Sequence, residues 1–164
     1  MNNSNTFTFN DFAHNTADLQ ALPEAKLSTP FEAAALAVLA TCEYENNPDE
    51  CVNMLNSIKG PATLSPYQIQ FLRDRLKGKG YVPRSYFAGS SVSNNYTPTL
   101  PLSITVTDNP YSYQNEGYAT LFVKSSGADS PRQVVLRKKG EQWFLWEIMF
   151  LSDIRKPAEE DPWA

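Results

Sequence analysis

A single histidine, two cysteines and no apolar run longer than Ala33 to Ala40 limit what this 164-residue chain can be. His14 leaves a Ser/His or Cys/His catalytic pair only one base to use, and it lies in a polar segment near the start. Two cysteines nine residues apart and one distant histidine match no zinc-ligand spacing, so neither a metal nor a cofactor is expected. An apolar run of that length is far too short to span a bilayer. The opening Met1-Asn2-Asn3-Ser4-Asn5-Thr6 lacks the basic start and apolar core of a signal peptide, which points to the cytoplasm and away from membranes. Glycine-rich phosphate loops are missing too. Gly78-Lys79-Gly80 reads as a helix end, with no strand before it and no helix after. Positive charge predominates in one stretch alone: the net charge is −4, residues 101–164 are near balance, and Arg73, Arg75, Lys77, Lys79 and Arg84 face only Asp74 within residues 61–100. General nucleic-acid binding needs broader phosphate neutralisation and is not expected.

What is present describes a soluble globular protein, with 41% hydrophobic and 20% charged residues in a length that fits one domain. Three segments share one pattern: Thr29-Pro30-Phe31-Glu32, Asn47-Pro48-Asp49-Glu50 and Ser65-Pro66-Tyr67-Gln68. In each, a capping side chain precedes a proline at the first helical position, and an acid or amide three residues on reaches back to the cap. The spacing predicts helices from about Pro30 to Tyr44, Pro48 to Lys59, and Pro66 to the Gly78–Gly80 region. The first would bury Phe31, Ala34, Ala35, Val38, Leu39 and Cys42 on one face, and the third would turn Ile69, Leu72 and Leu76 inward.

Residues 1–15 read as a flexible N-terminal arm, with a short helical turn from Thr16, and residues 16–164 as a single domain. A long polar loop is expected over 81–101, with one helical turn after Pro83. Four strand patterns follow: Leu102 to Thr107, Tyr118 to Ser125, Arg132 to Lys139 and Gln142 to Met149, the last two joined at Lys139-Gly140-Glu141. The expected architecture is α+β, three capped helices packed on a three- to four-stranded antiparallel meander.

Cys42 and Cys51 sit on apolar helix faces, as buried thiols do, although their placement on both sides of a short link also allows a reducible disulfide. Glu147, between Trp146 and Ile148, is either a solvent-facing strand residue or an acid with a shifted pKa. Six of the eight tyrosines lie between residues 81 and 118, beside Arg84. Two roles fit them: a recognition surface, or clamps that pin the loops to the sheet. On the first reading the binding residues are Arg84, Tyr86, Tyr96, Tyr111, Tyr113 and Arg132.

Several segments carry a resemblance: Thr29-Pro30-Phe31-Glu32-Ala33-Ala34, Phe71-Leu72-Arg73-Asp74-Arg75-Leu76, Asn109-Pro110-Tyr111-Ser112-Tyr113, Gln142-Trp143-Phe144-Leu145-Trp146-Glu147 and Asp161-Pro162-Trp163-Ala164. Over roughly residues 28–164 the chain resembles an uncharacterised bacterial domain-of-unknown-function family, which implies no activity. Helices followed by an antiparallel sheet also look like the cone-shaped nuclear-transport-factor-2-like and cystatin-like folds, which implies a pocket between helix and sheet. The expected function is a non-enzymatic module that binds an unidentified protein or small ligand through its tyrosine-rich loops. The alternative is a small-molecule enzyme with a helix–sheet pocket using Glu147 or Tyr118. A homo-oligomer joined through the aromatic face is a third reading.

Overall fold

A computed structural model describes residues 2–163. All three proline-bearing helix starts form as the spacing predicts. Thr29 Oγ1 accepts from Glu32 N at 3.4 Å, and Glu32 Oε1 accepts from Thr29 N at 2.9 Å, at the start of the helix Pro30–Thr41. Ser65 and Gln68 make the same reciprocal pair ahead of Pro66–Leu76, whereas Asn47 only accepts, from Glu50 N, ahead of Pro48–Ile58. A shorter helix, Thr16–Gln20, is capped by Asn15, and one turn, Tyr81–Arg84, stands inside the expected polar loop. In chain order these helices are α1 (Thr16–Gln20), α2 (Pro30–Thr41), α3 (Pro48–Ile58), α4 (Pro66–Leu76) and α5 (Tyr81–Arg84).

The sheet has five strands rather than three or four: β1 (Ser4–Phe9), β2 (Leu102–Thr107), β3 (Tyr118–Val123), β4 (Arg132–Lys139) and β5 (Gln142–Met149). They lie side by side in chain order, all antiparallel. The extra strand comes from the segment expected to be a flexible arm. Ser4–Phe9 pairs residue for residue with Thr107–Leu102, because Phe7 and Phe9 alternate with small polar residues and Phe9 reaches the core opposite Leu102. A carboxylate fastens the same end: Asp108, buried, accepts from Asn3 N at 2.7 Å.

Helix α2 crosses the inner face of the sheet, touching all five strands. It buries more than the one face expected of it. Ala33, Leu36, Ala37 and Ala40 are as inaccessible as Ala34, Val38 and Leu39, since short alanines let neighbours close in on every side. On α4, Leu72 and Leu76 point inward, but Ile69 is turned partly to water. The interior from Phe9 to Ile154 is one contiguous apolar cluster, to which the strands contribute Ile104, Leu121, Val134 and Leu145. Cys42 and Cys51 are both free and buried in it, and desolvation pushes the Cys51 thiol up to about 12. No helix among the described residues is long and apolar enough to cross a membrane.

His14 ties the N-terminal segment to the end of α2. Its Nδ1 lies 2.7 Å from Oε1 of Glu43, a buried carboxylate that also accepts from Asn46 Nδ2. The hydrogen bond to Glu43 raises the His14 pKa; burial opposes this, and the charges of Glu43, Asp11 and Asp18 reinforce it. A group held above its unfolded pKa stabilises the fold fully below that pKa, and the gain fades as pH rises through the folded value. The destabilisation caused by His14→Ala is therefore expected to be larger at about pH 5.5 than at about pH 8.5. Urea midpoints of both chains at the two pH values measure it, and an equal loss at both would contradict the pairing.

Candidate binding cleft beside the last strand

Most of the residues expected to form a recognition surface are spent inside the molecule. Tyr96 is fully buried, stacks on Tyr81 with centroids 5.6 Å apart, and donates its hydroxyl to Arg155 O at 2.7 Å. Tyr86, also buried, donates to Phe150 O and meets the Phe150 ring edge-on. Arg132 donates to the carbonyls of Ser152 and Asp153 at 3.1 and 3.0 Å. These three side chains together grip residues 150–155, the stretch that follows β5. Arg84 pairs with Glu45 and donates to the carbonyls of Asn95 and Tyr96, both of which hold positive φ. Gly127 completes the clasp, because a Cβ there would fall 2.3 Å from Tyr96 Oη.

Tyr113 and Tyr111 lie apart from that cluster. The Tyr113 hydroxyl donates to Asp108 Oδ2 at 3.0 Å, while Tyr111 stands 72% exposed over a turn in which Asn109 Oδ1 accepts from Tyr111 N. Burial, and then the neighbouring Asp108 carboxylate, pushes the Tyr113 hydroxyl up to about 12. Glu147, the acid considered for chemistry, is exposed. Tyr118 packs edge-on against Trp146 at 6.0 Å.

A different group of residues shapes a cleft at the free side of β5. Helix α3 ends at Ile58, and the chain turns through Lys59 and Gly60, whose φ is +68. A Cβ on Gly60 would also press the Phe144 ring at 3.0 Å, so backbone conformation and close approach both call for glycine here. Asn56 Oδ1 accepts from Leu64 N at 2.8 Å and holds the following turn against α3. Across from it, the β4–β5 pairing slips: Leu136 faces Leu145 and Val135 faces Glu147, leaving Trp146 as the extra residue. Such a bulge re-aims a side chain. Trp146 comes to lie beneath Arg137, with the guanidinium carbon 4.6 Å from its ring centre and 5.4 Å from that of Tyr118.

The resulting cavity measures about 340 Å³ and is walled by Lys59, Pro61, Arg137, Lys139, Phe144 and Trp146, among others. Its described lining contains four cations (Lys59, Arg137, Lys138 and Lys139) and no carboxylate, thiol or imidazole. Lys59 is the most unusual of them. It is only 6% exposed, and among the described residues its amine has a single acceptor, Trp146 O at 3.4 Å. Burial lowers its pKa, partly offset by the charge of Glu147. A smaller, more apolar hollow of about 180 Å³ adjoins it past Lys59 and Trp146, lined by Leu64, Tyr67, Phe71, Glu147 and Ile148, among others. None of the six residues expected to bind lines either hollow. Lys59 carries no signal in the sequence beyond being one of two bases among the first sixty residues, and the feature that matters, a bulge some ninety positions later, is invisible at short range.

A five-stranded antiparallel meander, covered by helices on its inner face and carrying a cationic cleft beside its last strand, defines an α+β protein. The chain belongs to the family described as Domain of unknown function (DUF6935), whose model matches residues 11–158. No curated protein and no solved structure matches the chain.

Proposed function

We propose that this protein is a non-enzymatic binding module that holds a small ligand in the cleft between the α3–α4 turn and the β4–β5 hairpin. The observation that carries the reading is the Lys59 ammonium, withdrawn from water with one long hydrogen bond, at the wall of a cavity of ligand-binding size. An acid–base enzyme needs a paired donor and acceptor; the titratable groups in the described lining of the larger cavity are cations, and the nearby acid, Glu147, is exposed beside the adjoining hollow. The space between α2 and the sheet, where a cone-shaped fold would keep its pocket, is filled by Leu36, Leu39, Leu121 and Leu136. Binding at the sheet's edge therefore takes the place of binding in its interior.

A library of small neutral and charged fragments, followed by amide NMR shifts on the intact chain, tests the reading. Shifts are expected at Lys59, Gly60, Phe144 and Trp146. Fragments that move only residues 109–113, or none that move the cleft, would overturn it. The tyrosine-loop reading keeps one supporting observation, the exposure of Tyr111 above a turn fixed by hydrogen bonds, and the same spectra register binding there.

A further inference from the structure

We propose that the ligand of this cleft is a phosphate monoester on a flat apolar group, its dianion seated between Lys59 and Arg137 and its ring against Phe144 and Trp146. This rests on the binding-module reading above and names the chemistry of its ligand. Charge complementarity supplies the first argument. In a chain with net charge −4, Lys59, Arg137 and Lys139 line one cavity with Glu147 the acid beside Lys59, while Lys138 turns its amine toward the Trp143 ring; the excess of cations fits a dianion better than a neutral or singly charged group. The second comes from unused hydrogen-bonding capacity. The buried Lys59 ammonium carries three donors and has one acceptor among the described residues, which leaves two for ligand oxygens. Arg137 adds a planar fork whose face already rests on Trp146 and Tyr118, which holds the guanidinium in place without consuming its N–H groups.

Size and lining settle the rest of the ligand. At about 340 Å³ the cavity lies near the lower end for small-molecule sites, room for an anionic head and one compact ring system rather than a long chain. Phe144 and Trp146 give that ring an apolar wall. The competing role for Lys59 is to guard the outer edge of β5 by covering the carbonyl of Trp146. That role makes no demand on an anion, so the two are separable by experiment.

The test is titration of the full chain with phenyl phosphate, inorganic phosphate and phenol, read by amide NMR shifts and by calorimetry. Phenyl phosphate is expected to bind tightest and to move Lys59, Phe144 and Trp146, and Lys59→Met is expected to weaken it about tenfold or more while leaving phenol unchanged. If phenol binds the cleft as well as phenyl phosphate, the ligand class is overturned and the binding module stands. If neither moves the cleft, the ligand class is overturned, and the fragment screen alone decides the binding module. Shifts confined to Arg73, Arg75, Lys77 and Lys79 would place the anion elsewhere and overturn the proposal. Should Lys59→Met fail to fold, Arg137→Gln decides the matter: unchanged phenyl phosphate affinity in that variant rejects the site.

Discussion

Replacing Tyr96 by alanine is expected to lower the free energy of unfolding by about 3–5 kcal/mol, the range for emptying a buried aromatic site. The ring is fully enclosed, stacks on Tyr81, fits against Gly127, and fastens residues 150–155 through its hydroxyl. Tyr96→Phe keeps the ring and forfeits only the hydrogen bond, for about 1 kcal/mol. Tyr111→Ala, at an exposed position, should stay within about 0.5 kcal/mol of the parent chain. Urea unfolding of the three variants orders them. A Tyr96→Ala chain as stable as Tyr111→Ala would show that the 81–101 segment is not packed as described.

The second large effect is expected at the opposite end of the chain. Phe9→Ala should also cost about 3–5 kcal/mol, although it lies in a stretch whose composition suggests mobility. Phe9 is 1% exposed and faces Leu102 at the pairing of β1 with β2, so its removal opens a void under an end strand. The same urea experiment measures it, and amide exchange adds a separate readout: protection of Ile104 and Val106, whose amides face β1, should fall with it. A loss below about 0.5 kcal/mol would mean that residues 4–9 do not form a strand in solution.

These two residues also mark how far local sequence pattern reaches. The helix caps and β2 to β5 are legible because each is decided within about ten residues by proline, by turn glycine, or by strict alternation. Segment 4–9 alternates as well, but its small polar residues hide that pattern beside the asparagines around it. The 81–101 segment looks polar in composition, yet its aromatic residues, Tyr81, Tyr86, Phe87 and Tyr96, all turn inward. Tyrosine hydroxyls and arginine forks are well suited to gripping backbone carbonyls. The backbone that Tyr86, Tyr96 and Arg132 grip belongs to this chain and not to a partner. The Lys59 cleft stays hidden for a different reason. It exists only where an α3 terminus meets a bulged strand far along the sequence, and no local pattern encodes that meeting.

The meander is fastened unevenly. Six residues of β1 match six of β2, and six of β3 match six of β4, but β2 meets β3 only at Val106 with Val123 and Thr107 with Phe122. Below that short seam the two strands diverge, and the backbone of Ala88 fills the gap by donating to Ser103 O at 2.9 Å. The molecule thus behaves as two ribbons riveted near one corner and wedged apart by a third piece of chain. A pull on the first ribbon is therefore shared between that short seam and α2, which packs across both ribbons.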